Sequence, residues 1–345
     1  MHNRHVVVIS CIAVGVAALG VGTARAQTVE EFYKNHPITL VVSSGAGGGY
    51  DVYSRLLARF LPQKIPGNPR IVVQNMAGAD GLNAINYMNN VAPRDGSVIA
   101  DTYSTMPFYM LLDGRNAKFD PTRINWLGNI SKALSVCIAW GTGSFKTIDD
   151  AMTRNMRVAG TGALGWRSVL PRLYNLVAGT KFEVVTGYAT NEDYMAVERG
   201  EVDGSCTTYD TILASKNDWI TRKQVTFLAQ FGDKATPELQ NVPLALDRIK
   251  NREDRAAMDI ILSQQQTGRP YLAPPGVPAD RVQALRLAFD ATMKDKEFLA
   301  AARQGNLWIA PMEAGPMETL IRNAYAAPPD IIERARSLLE KALPK

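Results

Sequence analysis

The sequence predicts an α/β protein of two lobes, each a largely parallel sheet flanked by helices. Three observations predict it. Short β-rich runs alternate with amphipathic helical stretches, first from Ile38 and again from Ser135. In each half a strand runs into a glycine loop that opens a helix, Gly45-Ala-Gly-Gly-Gly-Tyr50 and Thr161-Gly-Ala-Leu-Gly-Trp-Arg-Ser168. The chain has 345 residues, 46% of them hydrophobic, which is enough for two lobes with cores of ordinary size.

The chain begins with Arg4 between two histidines, an apolar run from Val6 to Val21, and Ala24-Arg25-Ala26. That is the pattern of a secretory leader, residues 1–26, cut after Ala26. Ile38–Val42 then reads as a buried strand, and the glycine loop leads into a helix with Val52, Leu56, Leu57, Phe60 and Leu61 inward and Arg55 and Arg59 outward. A strand over 70–74, a short helix with Leu82, Ile85 and Met88 on one face, and a strand over 97–100 complete the first unit. The plan repeats with strands over 135–140, 156–160, 181–186, 201–208 and 225–230. The helix after the second glycine loop contains Pro171, which is tolerated only if that helix starts near Ser168. The chain returns through Pro270–Pro278 to a long helix with Val282, Leu285 and Phe289 inward, and ends in a helix over about 330–341. These readings divide the mature chain into residues 27–132 (first domain), 133–225 (second domain) and 226–345 (return to the first).

Composition excludes several functions. Loss of Arg4 and Arg25 with the leader lowers the formal charge from +5 to +3, with no Lys/Arg run, so nucleic acid is not an expected partner. Only His36 of the three histidines remains, and CxxC, HExxH and GxSxG motifs are absent, which disfavours triad hydrolysis and histidine-rich metal sites. No catalytic residue, metal site or cofactor is expected. Cys137 and Cys206 remain after maturation, and either a disulfide or two buried free thiols fits an exported protein.

The first glycine loop is not a dinucleotide fingerprint, because Tyr50 takes its last glycine position and no acid follows the next strand. It suits a small oxyanion instead. The amides of residues 47–49 can point at a carboxylate beside Ser43 and Ser44, at the positive end of a helix. Asp51 is expected as the cap of that helix, with ligand contact as the alternative. In the second loop Ser168 can cap and still offer a hydroxyl. Arg167 is either a solvated charge or an anion partner, and Trp166 either core or a ring wall. Two such loops, one per lobe, suggest a cleft that grips an anion from both sides.

The chain resembles the extracytoplasmic solute receptors of tripartite tricarboxylate transporters, the Bug family. The residues that carry the resemblance are Val41–Asp51, Val73–Gly81, Ala92-Pro-Arg-Asp-Gly96, Glu198-Arg-Gly-Glu-Val-Asp-Gly204 and Leu272-Ala-Pro-Pro-Gly-Val-Pro278, in the family's order over nearly the whole mature chain. The resemblance implies a type II periplasmic-binding-protein (Venus-flytrap) fold, two α/β domains joined by two hinge strands. It also implies a carboxylate ligand held by Ser44, Gly45, Gly48 and Gly49 of one loop and Thr161, Gly165 and Ser168 of the other. Tyr188 and the Asp203 region would line the far side, and Ser104 and Thr105 the near side. Departures from the family's pattern are Ser43-Ser44, Trp166, Arg167, Val169 and a loop after Tyr188 one residue shorter.

The expectation is a monomeric periplasmic receptor that delivers a small organic carboxylate to a two-component membrane permease. With Arg167 on a second carboxylate and Trp166 against the ligand body, the guest would be a di- or tricarboxylate or an aromatic acid. The alternatives are an exported enzyme with Asp51 or Asp203 as general base, and a sensor for a signalling membrane protein.

Overall fold

A computed structural model describes residues 27–160, 162, 165–188 and 192–343. The leader and Thr161 of the second loop lie outside these residues. Two sheets form the protein. The first holds β1 (Ile38–Val42), β2 (Ile71–Asn75), β3 (Val98–Asp101), β4 (Asn125–Asn129), β10 (Pro270–Ala273) and β11 (Met312–Glu313), in the order β11-β4-β10-β3-β1-β2. The second holds β5 (Ser135–Trp140), β6 (Met156–Ala159), β7 (Phe182–Val185), β8 (Gly204–Thr208) and β9 (Val225–Gln230), in the order β7-β6-β8-β5-β9.

Each sheet is covered on both faces, which is why its strands read as continuous apolar runs. In β1, Ile38 and Leu40 enter one core with Tyr53, Leu57 and Phe289, while Val41 enters another with Ile85, Met88 and Trp126. In β5, Cys137 and Ala139 face one core and Val136 and Ile138 the other. Cys137 lies opposite Cys206 of β8 in antiparallel register, and the two are joined in a disulfide. This settles the alternatives left by the sequence.

β1 and β3 are parallel, β10 is antiparallel to β3, and β4 is antiparallel to β10. The carboxyl ends of β1, β3 and β4 therefore share one edge. β6 and β8 are parallel, so their carboxyl ends share an edge of the second sheet. The chain crosses between sheets at residues 130–134 and returns through the helix Arg252–Gln266 and residues 267–269. The two crossings are tied together: the Ala133 amide donates to the Gln265 carbonyl at 2.8 Å, the Ser135 amide to Gln265 Oε1 at 2.7 Å, and the Arg269 amide to Asn129 Oδ1 at 2.7 Å.

Four sequence expectations change. Strand β9 belongs to the second sheet, so the boundary at 225 falls too early. The C-terminal helix Pro329–Ala342 does not return to the first lobe alone: Ile331 and Ile332 pack on the core that holds Val41 and Trp126, and the Arg336 Nε donates to the Leu111 carbonyl at 2.9 Å, but the rest of the helix lies on the second lobe. Its Ala335, Leu338 and Ala342 pack with Ala257, Met258 and Ile261 onto the core beside Cys137 and Leu173. Val52 is exposed and Tyr53 buried, because the stripe of the Gly49–Phe60 helix runs through Tyr53, Leu56 and Leu57. The helix after the second loop starts at Trp166, which places Pro171 inside it.

Candidate functional site

The cleft lies between the strand ends of the two sheets. Beyond β1 the chain turns through residues 43–48 into the helix Gly49–Phe60, with Gly48 in the cap position. Gly47 has φ +79, a left-handed conformation that strains any residue with a Cβ. Its amide donates to Asp51 Oδ2 at 2.8 Å. Asp51 also accepts from Asn75 Nδ2 (2.8 Å) and Arg55 Nε (2.9 Å), and the same Asn75 nitrogen donates to the Ser44 carbonyl at 2.9 Å. The Arg55 bond first, then the Gly47 amide and Asn75, hold the Asp51 carboxyl down at about 2 against the effect of burial. Asp51 thus stands three residues inside the helix and ties the loop to β2; it is not the cap.

Below this loop Asp101, at the end of β3, accepts from the Ser43 amide (2.7 Å), Ser43 Oγ (2.6 Å) and Ser54 Oγ (2.6 Å). Burial pushes its pKa up, while the Ser43 and Ser54 bonds and the Arg269 charge oppose that. Tyr50 stacks on Tyr103, with ring centroids 4.5 Å apart, and its hydroxyl accepts from the Ser104 amide at 3.0 Å.

The deepest cation of the cleft is Arg269, just before β10. Its guanidinium lies over the rings of Tyr50 (4.5 Å) and Tyr53 (5.2 Å). A Cβ on Gly49 would stand 3.3 Å from its terminal nitrogen, so glycine there lets the cation approach the start of the helix. From the other sheet Asp210, two residues past β8, accepts from Arg269 at 3.0 Å. This ion pair spans the two lobes and is nearly buried on both sides, with side chains 13% and 4% exposed.

Strand ends of two α/β sheets facing each other across paired crossings, with a glycine-opened helix on each side, define a bilobal binding cleft. No family model matches the sequence. A TctC solute-binding protein from Polaromonas aligns with TM-score 0.70 and 17% identity, over 90% of this chain and 99% of its own. This chain has the TctC/Bug solute-binding-protein fold. The periplasmic binding protein BugD (TM-score 0.58, 18% identity, 89% and 98% covered) and an R. palustris protein with adipate (0.62, 18%, 89% and 97%) share it. In sequence, the "UPF0065 protein in gbd 5' region" of Cupriavidus necator is 25% identical over 250 residues, 70% of this chain and 73% of that one. The resemblance read from the sequence is borne out.

Within this fold the expected site residues separate into three groups. Ser44, Gly45, Gly48, Gly49, Ser104, Thr105, Gly165 and Ser168 all follow the carboxyl ends of β1, β3 or β6, in the connecting loop or the first turn of the helix after it. Gly45 and Gly49 are exposed, whereas Ser44 is buried with its hydroxyl turned to the Gly45 carbonyl. The amides of Gly47 and Gly48 are used internally, by Asp51 and by the Gly45 carbonyl at 3.3 Å, so the open donors shift to the first turn of the helix at Gly49 and Tyr50. Gly165 caps the second helix with its carbonyl, which accepts from the Ser168 and Val169 amides. Ser168 is fully buried and its hydroxyl has no partner.

Trp166 and Arg167 are committed inward. Trp166 Nε1 donates to Ser135 Oγ at 2.8 Å and the ring packs on the Cys137 core. Arg167 pairs with the fully buried Asp193, donates to Tyr194 Oη at 2.9 Å and lies 4.8 Å over that ring. It is therefore not free for a second ligand carboxylate. Tyr188 is half-buried, against the core that includes Tyr194 and Trp219.

Asp203 is at the wrong end. It precedes β8, where its carboxylate accepts from the Arg157 amide at 2.8 Å and its carbonyl from the Trp140 amide at 2.9 Å, a whole strand away from the cleft. The motif containing it has a packing reason instead: a Cβ on Gly204 would overlap the Ile138 carbonyl of β5. Following β8 to its carboxyl end leads to Asp210, which sequence reasoning missed along with Arg269 and Tyr50. Among the described residues no cluster could hold a metal ion.

Proposed function

We propose that this protein is an exported receptor that closes its two lobes over a small organic carboxylate and presents the closed form to a two-component membrane permease. The observation that carries this reading is the convergence of the Gly49 helix start, the Gly165–Ser168 turn and the buried Arg269–Asp210 pair on one cleft in a solute-binding-protein fold. Helix N-termini and a fixed guanidinium favour an anion, and closure strengthens both by excluding water. The adipate held by a protein of the same fold is a carboxylate of this size. Export is supported by the leader and by the disulfide, a bond kept in oxidising compartments. Among the described residues no helix is long and apolar enough to cross a membrane.

An exported enzyme is the weaker reading. Of the two acids the sequence offered as general bases, Asp51 is occupied by three donors and Asp203 lies at the far end of β8. The test is a thermal-shift and calorimetry panel of mono-, di-, tri- and aromatic carboxylates, followed by mass spectrometry of the bound compound after prolonged incubation. A receptor gains melting temperature from at least one acid and returns it unaltered. A product in place of the acid, or no response to any acid, refutes the reading.

A further inference from the structure

The charges around the cleft are already balanced by the protein itself. Several cations stand on or beside the described segments that form it. Arg55 is paired with Asp51, Arg167 with Asp193, and Arg269 with Asp210. Lys132 lines a separate cavity of about 360 Å3 on the flank of the crossings, with Lys234, Arg255, Asp233 and Asp259 and no residue of either glycine loop. Asp101, close to Arg269, adds a further acid with three hydroxyl or amide donors and no cation bonded to it. The sequence puts no charged residue at 161, 163, 164 or 189–191, so the described residues hold the whole charge inventory of these loops.

Such a site has no unpaired guanidinium for a second or third carboxylate, which would be left to the helix-start amides alone. It does have unused hydrogen-bonding capacity at the interlobe pair. Arg269 Nε, a donor, and Asp210 Oδ1, an acceptor, are both buried without a partner. Their Nη2 and Oδ2 atoms bond to each other at 3.0 Å, so the unused donor and acceptor belong to adjacent groups. A buried polar atom without a partner is costly, and a guest that supplies both partners recovers that cost.

We propose that the guest is a monocarboxylate with a hydrogen-bond donor beside its acid group, an amino or hydroxy acid, received with its carboxylate at Arg269 and its donor at Asp210. This rests on the receptor reading and narrows it. A zwitterionic amino acid leaves the cleft neutral, because its ammonium faces Asp210 and its carboxylate faces Arg269 and the Gly49 helix start. A dicarboxylate adds two negative charges to a neutral or acidic site. The pair also spans the lobes, so a guest that inserts its two groups there keeps both lobes in contact with the same small molecule.

The test uses two matched series: butanoate, 2-hydroxybutanoate, 2-aminobutanoate and succinate, and phenylacetate, mandelate, phenylglycine and phenylmalonate. Calorimetry on the wild type is expected to show the amino or hydroxy acid of at least one series binding on the order of tenfold to a hundredfold tighter than its plain and dicarboxylic counterparts. In Asp210→Asn the Arg269 charge is released, so that preference collapses and the dicarboxylate gains affinity, a gain that misfolding cannot mimic. A wild type that prefers plain or dicarboxylic acids overturns the inference, as does an order of affinities unchanged by Asp210→Asn. If neither series binds but di- or tricarboxylates in the wider panel do, the receptor reading stands and this inference falls. If no acid of any class binds, both fall.

Discussion

Asp51 offers a substitution whose two outcomes have opposite signs. In Asp51→Asn the side chain keeps its shape but loses its charge, and with it the full strength of three bonds, from the Gly47 amide, Asn75 and Arg55. Bonds to a charged acceptor contribute about 1.5–3 kcal/mol each, and a neutral amide oxygen retains part of that. The Arg55 pair adds little to this, because the Arg55 side chain is 50% exposed and screened by solvent. The loss should total about 2 kcal/mol, a fall of roughly 4 °C in melting temperature for a chain of this length. Loosening the loop at Gly47 also removes preorganisation from the Gly49 helix start, so acid affinity should drop by about fivefold, near 1 kcal/mol. Scanning calorimetry and titration calorimetry on the same preparation measure both. If Asp51 instead faces the guest, removing its negative charge leaves stability unchanged and raises affinity for an anion. That pair of results would refute the tether.

The same carboxyl makes a pH prediction. Its folded pKa is depressed to about 2, so its contribution is full above the unfolded value near 4 and is lost as pH falls through the folded value. The melting-temperature gap between wild type and Asp51→Asn should be constant above about pH 5 and close between roughly pH 4 and 2; a constant gap down to pH 2 contradicts it. Removal of the disulfide by Cys137→Ser with Cys206→Ser should cost about 2–5 kcal/mol, read from denaturant midpoints, and an unchanged midpoint argues against the bridge. Arg167→Ala leaves Asp193 buried with its guanidinium removed and should cost about 3–5 kcal/mol, with much of the loss recovered when Asp193→Ala is added. Stability unaffected by Arg167→Ala, with acid affinity lost, would return this arginine to the ligand.

Much of the architecture was legible because it is written locally. The strands over 38–42, 135–140 and 225–230 lie within the predicted limits, since short, largely apolar, β-branched runs mark a strand by local composition. Strand β4, Asn125-Trp-Leu-Gly-Asn129, was not read, because its two asparagines and glycine mask a strand whose pairing with β10 spans more than 140 residues. The helix Arg252–Gln266 does carry a local signal, an Asn251 cap followed by Glu253 and Asp254 with Ala257, Met258, Ile261 and Leu262 at helical spacing.

The site divides in the same way. Each glycine loop is a property of adjacent residues and was found. Arg269 and Asp210 are 59 residues apart on different lobes, and only the order and direction of β8 and β10 bring them together. Asp203 lies in a recognisable motif, but that motif begins its strand and does not end it. The parallel pairing of β6 and β8 puts that residue at the opposite end from the loop after β6. Arg167 and Trp166 follow a glycine loop, where ligand groups are expected, but Asp193 and Ser135, distant in sequence, claim them.

The most direct test of the account is a crystal structure with the acid that gives the largest thermal shift. The account predicts the acid group between the lobes, its oxygens within about 3 Å of the amides at Gly49 and Tyr50 or of Arg269, and the Gly165–Ser168 turn closed over it. An acid group seated outside that cleft, with both helix starts pointing at solvent, would contradict it.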